Sequence, residues 1–211
     1  MRMRKKKNLD ERLKACESIR TEAPYPKGRW NEVFGNENPI MLEIGCGKGG
    51  FITELAMRFP DINFIALEKC PNVLVLAMEK AKNLGIENIR FIGDNADILE
   101  EIVNPGEARR IYINFCDPWH KSKHFKRRLT YREYLEKYEK LLSPVKGEVH
   151  FKTDNRKLFE FSLNEIADMN YKMRNITLDL HNSKFEGNIV TEYEKQFSDM
   201  GFPIYRLEIL F

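Results

Sequence analysis

The segment Pro39-Ile-Met-Leu-Glu-Ile-Gly-Cys-Gly-Lys-Gly-Gly50 is a short apolar run that ends in glycines. Residues 40–44 predict a buried strand, because their apolar side chains are nearly unbroken, as in a parallel sheet with helices on both faces. Phe51, Ile52 and Leu55 follow at helical spacing. The glycines therefore lie between a strand and a helix, where the backbone can approach a ligand and free N–H groups point outward.

Two classes of ligand are bound by loops of this kind. The spacing Gly45-x-Gly47-x-x-Gly50 matches the fingerprint of dinucleotide-binding proteins. The spacing Glu43-x-Gly45-x-Gly47-x-Gly49 looks like the S-adenosylmethionine loop of Rossmann-like methyltransferases. The glycines alone do not decide between these ligands, and a strand-to-helix turn without a ligand is a third interpretation.

The order of strand, turn and helix recurs along the chain. Further strands are predicted over residues 62–68, 88–93, 110–115, 147–153, 171–180 and 204–211. This order predicts an α/β fold with a doubly wound, mostly parallel, seven-stranded sheet, in which the last two strands pair antiparallel at the edge. Thr130-x-x-Glu133 resembles a capping box and predicts the start of a helix.

The chain has 211 residues, of which 42% are hydrophobic, and this is enough for one well-cored domain. We expect residues 1–30 to form a basic arm, a short helix over residues 9–20 and a linker. Residues 31–211 are expected to form the single domain. The basic residues of the arm are Arg2, Arg4, Lys5, Lys6 and Lys7.

The cysteines and the apolar runs favour a cytoplasmic location. The four cysteines are widely spaced without a Cys-x-x-Cys pair, which argues against a zinc ribbon or a secreted disulfide framework. We therefore expect no metal. The longest apolar run, residues 73–78, is far shorter than the roughly 18 residues that span a bilayer, and no secretory or transit peptide is evident.

Polar side chains follow several of the predicted strands. Glu68 lies 19 residues beyond Gly49, at the end of the second strand, where a carboxylate can accept hydrogen bonds from both ribose hydroxyls of an adenosine. Asn95 follows the third strand and could hold an adenine edge, although a helix cap there remains open. Because ligands bind outside the carboxyl ends of such strands, we expect Glu43, Glu68, Asn95 and Asp117 at one rim.

The end of the fourth strand favours methyl transfer over hydride transfer. Asp117-Pro118-Trp119 gives a stiff turn with an acid and an aromatic ring that can stack on a base, although an Asp-Pro pair also initiates ordinary turns. Residues 120–128 follow it and are rich in lysine, arginine and histidine. Such a segment can follow a phosphate backbone, and a solvated charged loop is the alternative.

Asn114-Phe-Cys-Asp-Pro-Trp-His-Lys-Ser-Lys-His-Phe-Lys-Arg-Arg-Leu129 closely resembles the signature of the single-chain bacterial tRNA (guanine-N7)-methyltransferase family. The loop at residues 43–49 also looks like motifs of that family, as do Lys152-Thr-Asp-Asn155 and Thr191-Glu-Tyr-Glu194. The resemblance covers about residues 9–211. One departure is His120, where many members carry proline.

This resemblance implies a Rossmann-like methyltransferase fold, with S-adenosylmethionine as cofactor. It implies methyl transfer to N7 of a variable-loop guanine, guanine 46, of tRNA. Cofactor contacts are implied at Glu43, Gly45, Gly47, Gly49, Glu68, Asn95 and Asp117, and Asp117 is also the implied catalytic residue. Substrate contacts are implied at Lys121, Asp154, Thr191, Glu192, Tyr193 and Glu194, and RNA contacts at Lys123, His124, Phe125, Lys126, Arg127 and Arg128.

Two other functions fit parts of the sequence. A non-catalytic RNA-binding protein on a methyltransferase scaffold would keep the basic segment, but the intact glycine loop argues against it. A nicotinamide-dependent oxidoreductase would use the same loop but has no need of the segment at Asp117. We expect tRNA as the partner, no membrane, no obligate protein partner, and a monomer or homodimer.

Overall fold

The computed structural model describes residues 6–211, and at Ser122 it describes the backbone alone. The described residues divide after Ile102 into two compact units. No helix within the described range is both long and apolar enough to cross a membrane. Three of the five basic residues predicted for the arm lie outside this range: Arg2, Arg4 and Lys5.

The N-terminal unit contains four parallel strands. In spatial order β1 lies beside β4, then β3, then β2. Every residue of β2 and β3 is buried, as their unbroken apolar sequences predict. The strands are β1 (Arg20–Thr21), β2 (Ile40–Ile44), β3 (Asn63–Leu67) and β4 (Ile89–Ile92).

Five helices complete this unit. The fourth helix packs through one apolar side, because Leu74, Val75, Met78 and Ala81 are all buried. Trp30 anchors the second helix, since its ring is buried and its Nε1 donates to the carbonyl of Ile102 at 2.8 Å. The helices are α1 (Leu9–Lys14), α2 (Trp30–Phe34), α3 (Gly50–Arg58), α4 (Pro71–Asn83) and α5 (Leu99–Ile102).

The C-terminal unit contains four strands in the spatial order β5, β6, β8 and β7. Strands β5 and β6 are parallel, whereas β8 runs antiparallel to both β6 and β7, so the predicted antiparallel pairing of the last two strands is confirmed. The strands are β5 (Ala108–Asn114), β6 (Glu148–Thr153), β7 (Lys172–Thr177) and β8 (Tyr205–Leu210). The helices are α6 (Arg132–Leu141), α7 (Arg156–Asp168) and α8 (Glu192–Asp199).

The N-terminal elements correct two predictions. The described residues form eight strands rather than seven, because β1 pairs with β4 through Arg20 and Thr21. Two residues are too few to show the alternation that identifies a strand in a sequence. The helix predicted over residues 9–20 ends at Lys14 and is followed by a 3-10 turn over Glu17–Ile19. Four apolar residues of this segment are buried: Leu9, Leu13, Cys16 and Ile19.

The predicted capping box at Thr130 is wrong. Helix α6 begins at Arg132, and its cap residue makes no side-chain cap hydrogen bond. The Thr130 hydroxyl instead accepts a hydrogen bond from Ser162 Oγ at 2.7 Å in the interior. Glu165 takes over the capping role, because its Oε2 accepts from the backbone N–H of Arg132 at 3.0 Å. A carboxylate from another helix has therefore replaced the local cap.

Gly49 should be intolerant of a side chain, because an added Cβ would lie 2.8 Å from the Cβ of Ala77 in α4. Its φ of +80° adds strain for any L residue. Gly201 is a matched control, with a φ of +79° and no atom within 4 Å of an added Cβ. We expect Gly49→Ala to lose about 1–3 kcal/mol more than Gly201→Ala in denaturant unfolding, because only Gly49 is overpacked. Equal losses would show that α4 moves aside without cost.

Candidate functional site

The glycine loop joins β2 to α3 and is anchored on the end of β3. The backbone N–H groups of Gly45 and Cys46 both donate to the carbonyl of Leu67, at 2.8 and 2.9 Å. Gly45 and Gly47 have φ values of +80° and +57°, and an added Cβ would meet nothing within 4 Å at either position. The loop therefore has a left-handed backbone with open space beside it, which suits close approach of a ligand.

Glu68 lies directly against this loop. Its Oε2 accepts from the N–H of Gly47 at 3.2 Å, and its Oε1 accepts from the N–H of Cys70 at 2.8 Å. A carboxylate has about four acceptor positions, so two remain for the two hydroxyls of a ribose. The loop and Glu68 thus offer groups suited to the adenosine part of a cofactor, and their contact with a cofactor stays a prediction.

Two buried residues, Glu43 and Cys46, belong to the strand before the loop and to the loop itself. Glu43 is the fourth residue of β2 and is only 2% exposed, so a ligand would reach its carboxylate only by entering the interior. Burial raises the pKa of the Cys46 thiol well above its usual value, and the nearby carboxylates of Glu43 and Glu68 raise it further. The structure therefore brings the two predicted acids together around one thiol, which stays protonated.

Asn95 is exposed after β4 and caps the 3-10 turn over residues 96–98. Its Oδ1 accepts from the N–H of Asp97 at 2.7 Å. The helix-cap alternative is therefore the arrangement in the structure. With the oxygen used in this way, the side-chain amide Nδ2 is the group that would contact an adenine edge.

In the C-terminal unit, two acids follow neighbouring parallel strands. Asp117 comes after β5 and is exposed, and Asp154 comes after β6 and is half-buried. Burial raises the pKa of the Asp154 carboxyl. Burial also raises the pKa of Tyr193, and the nearby Asp154 and Asp117 raise it further. The ring of Tyr193 lies 5.1 Å from that of Phe115, so two carboxylates and two aromatic rings form one cluster.

The Tyr193 ring is carried by a segment in which Thr191 and Glu194 are buried. Thr191 and Glu194 form a reciprocal capping box at the start of α8, in which Thr191 Oγ1 accepts from the N–H of Glu194 at 2.8 Å. Glu194 is completely buried, whereas Glu192 and Tyr193 are exposed. All four were predicted as substrate contacts. Only Glu192 and Tyr193 present surface to a substrate in this conformation.

Lys152, which sequence reasoning did not single out as a site residue, holds this segment. Its Nζ donates to Glu194 Oε2 at 2.6 Å, to the carbonyl of Ile189 at 2.9 Å and to Asn188 Oδ1 at 3.1 Å. These acceptors match the three donors of an ammonium group. The signal in the sequence was a lysine inside a buried strand, because such a charge needs a partner.

The basic segment forms a 3-10 turn over Ser122–Arg127. Its cationic side chains face outward, except that His124 and Arg128 are half-buried. Arg127 lies over the Trp119 ring at 5.0 Å, and His124 meets the edge of the same ring at 5.8 Å. The exposed members are His120, Lys121, Lys123, Phe125, Lys126 and Arg127. Cationic side chains therefore lie beside aromatic rings in this segment, as in proteins that bind single-stranded nucleic acid by stacking its bases.

One further cluster lies on the C-terminal strands. Within the described residues, Glu148, His150 and Glu208 place ligand atoms within 4.8 Å of one another, close enough to hold a metal ion. Both carboxylates are already paired with guanidinium groups, so an ion would have to displace cations, and the expected absence of metal stays a prediction. Those guanidinium groups belong to Arg110, Arg174 and Arg206.

Comparison with known proteins adds the following. A family model described as "Putative methyltransferase" matches residues 37–207. The tRNA (guanine-N(7)-)-methyltransferase of Bacillus subtilis strain 168 is 48% identical, over 99% of this chain and 98% of that protein. The protein of the same name from Listeria monocytogenes serotype 4b is 50% identical, over 100% and 99%. The solved 16S rRNA methyltransferase KamB is 11% identical with a TM-score of 0.65, over 88% of this chain and 94% of that one, and shows the fold alone.

Glu194→Ala should destabilise the protein by about 3–5 kcal/mol, because it leaves the ammonium of Lys152 buried without its charge partner. Asp199→Ala is the control, since the Lys195–Asp199 pair is 71% and 62% exposed and should contribute less than about 1 kcal/mol. Denaturant unfolding measures both losses. The double variant Lys152→Met with Glu194→Leu should lose less than Glu194→Ala alone. Equal losses for Glu194→Ala and Asp199→Ala would show that the buried pair matters no more to stability than the exposed pair.

Proposed function

Because this chain belongs to the tRNA (guanine-N7)-methyltransferase family, we propose that it transfers a methyl group from S-adenosylmethionine to N7 of a tRNA guanine, forming 7-methylguanosine. The observation that carries the proposal is the full-length identity with methyltransferases of that name. The open glycine loop beside Glu68 and the acidic and aromatic cluster around Asp117 supply groups suited to the two substrates. Neither an oxidoreductase nor a non-catalytic RNA-binding protein is favoured.

Each unit has its own part in the proposal. The N-terminal unit binds the cofactor, with Glu68 accepting from the ribose hydroxyls and the loop N–H groups available to polar atoms of the ligand. S-adenosylmethionine supplies an electrophilic methyl group. The C-terminal unit binds the RNA, with the exposed lysines and Arg127 contacting phosphates.

The acids of the C-terminal unit would orient the guanine. Its N1–H and its exocyclic amine are donors, and Asp117 and Asp154 are acceptors when ionised. Guanine N7 already carries a lone pair, so the reaction needs no base to remove a proton from it. The work of the protein is then alignment of the reacting atoms and exclusion of water. The raised pKa of Tyr193 keeps its hydroxyl protonated and able to donate.

Incubation of the protein with methyl-labelled S-adenosylmethionine and unmodified tRNA transcripts tests the proposal directly. Digestion should release labelled 7-methylguanosine. We further propose guanine 46 of the variable loop as the target, so a transcript with adenine at that position should take up no label. Label in another nucleoside would contradict the reaction, and label in the altered transcript would contradict the position. Action in the cytoplasm, as a monomer or homodimer, stays a prediction.

Glu68→Ala should weaken the binding of S-adenosylmethionine by about 1–3 kcal/mol, because two ribose hydroxyls lose a charged acceptor. Calorimetry with the free protein measures this affinity. Glu87→Ala is the control, since Glu87 is an exposed acid of the same unit. Unchanged affinity in Glu68→Ala would remove Glu68 from the cofactor site.

Substitution of Asp117 should separate orientation from proton transfer. Asp117→Asn keeps the shape and one acceptor, whereas Asp117→Ala loses both, so the single-turnover rate should fall from wild type to Asn to Ala. The loss for Ala should reach about 3 kcal/mol, as for other preorganised polar groups. The wild-type rate at saturation should show no ionisation near neutrality, because N7 needs no base. A steep pH profile that disappears in Asp117→Asn would make Asp117 a proton acceptor.

A further inference from the structure

Arg128 differs from the lysines and from Arg127 of its segment in where its side chain lies. It is half-buried, whereas Lys123, Lys126 and Arg127 are exposed. Its Nε donates to the carbonyl of Pro118 at 3.0 Å, and its Nη2 donates to the carbonyl of Trp119 at 3.3 Å. Burial lowers the pKa of Arg128. The guanidinium is therefore engaged with the turn that carries Asp117.

That turn has an unfavourable backbone. Trp119 has a φ of +45° and Phe115 has a φ of +54°, so two bulky residues on either side of Asp117 are left-handed. This conformation is costly for a residue other than glycine, and it persists only where surrounding contacts enforce it. Pro118 has no N–H with which to stabilise the turn locally. The carbonyls of Pro118 and Trp119 accept from a side chain outside the turn.

Arg128 is well placed to supply those donors. Its own backbone is fixed, because its N–H donates to the carbonyl of Phe125 at 3.1 Å and its carbonyl accepts from the N–H of Tyr131 at 2.9 Å. Its guanidinium lies 4.3 Å from the centre of the Phe161 ring in α7. A planar guanidinium can donate in two directions while it stacks on a ring, which an ammonium cannot do.

Helix α7 extends the connection to the second acid. The helix is capped by Asn155, whose Oδ1 accepts from the N–H of Leu158 at 2.9 Å. Asp154 is the residue immediately before this cap. Arg128 thus joins the turn of Asp117 to the helix that begins next to Asp154.

We propose that Arg128 is a positioning residue that holds the Asp117 turn for methyl transfer, and that it is not a phosphate contact. To contact a phosphate, the guanidinium would have to leave two carbonyls and an aromatic ring. The proposal rests on the proposed function, because the turn is held for that reaction. It separates Arg128 from Arg127, its neighbour in the sequence, which is exposed.

The test compares Arg128→Ala, Arg128→Lys and Arg127→Ala in the full-length protein. Affinity for tRNA is measured against salt concentration, and the single-turnover rate is measured at saturating tRNA and cofactor. Arg128→Ala should slow the rate by roughly 10- to 100-fold, as expected for a misplaced reacting group, and leave the salt slope unchanged. Arg127→Ala should lower the slope by about 0.7–0.9 units, as for one lost phosphate contact, with a smaller loss of rate.

Arg128→Lys tests the role of geometry. It keeps the charge, so the salt slope should equal that of wild type, but it cannot span both carbonyls, so the rate should lie between wild type and Arg128→Ala. If Arg128→Ala does not fold, as judged by its melting temperature, this variant decides alone. A wild-type rate in Arg128→Lys, or a loss of slope in Arg128→Ala like that of Arg127→Ala, would overturn the proposal.

A readout without activity separates this proposal from the proposed function. Hydrogen exchange of residues 115–120 in the free protein should accelerate in Arg128→Ala and Arg128→Lys, and by more than in Arg127→Ala, because Arg127 lies over the Trp119 ring whereas Arg128 donates to two carbonyls of the turn. If the wild-type protein makes no 7-methylguanosine, the proposed function fails and the exchange result still decides whether Arg128 holds the turn. Unchanged exchange in both Arg128 variants would show that it does not.

Discussion

The buried ion pair between Lys152 and Glu194 is the constraint on which the site of the C-terminal unit depends. Removing two charges from water is costly, and mutual attraction offsets this cost only when the other donors and acceptors are also satisfied. Here the Lys152 ammonium has three acceptors. Glu194 Oε1 also accepts a hydrogen bond from Asn188 Nδ2 at 2.6 Å and lies 3.1 Å from His181 Nε2. Such a network tolerates few alternative arrangements, so it fixes where α8 begins and where Tyr193 is exposed.

This constraint explains how a motif can matter to a substrate without touching it. Thr191 and Glu194 were implied as substrate contacts, yet both side chains are buried and form the capping box of α8. A loss of activity on replacing Glu194 would therefore follow from the displacement of Tyr193 as readily as from a lost contact. The distinction matters for Lys152 as well, since it lies only two residues before Asp154 and shares the network.

Most of the fold, and the position of Glu68 against the glycine loop, could be predicted from the sequence, because both are encoded locally. Hydrophobic runs identified the longer strands, and the spacing from the glycine loop to Glu68 placed that carboxylate against the loop. What failed depends on distant residues. Thr130 and Thr191 share the same capping pattern, but only Thr191 caps its helix, because Glu165 supplies the acceptor at the start of α6. In the sequence Arg128 reads as one more cation, and its contacts with the turn and Phe161 are visible only in the structure.

The two units reach a sharp turn after a strand by opposite means. In the N-terminal unit, glycines adopt the left-handed backbone without a side-chain penalty, and the open space beside Gly45 and Gly47 leaves the backbone accessible to a ligand. In the C-terminal unit, Phe115 and Trp119 adopt it against their preference. The second turn needs external support, which comes from Arg128 and from the N–H of Phe115 donating to the carbonyl of Lys152 at 2.9 Å. In return, that turn presents two aromatic rings and a carboxylate at fixed positions, which glycines could not provide.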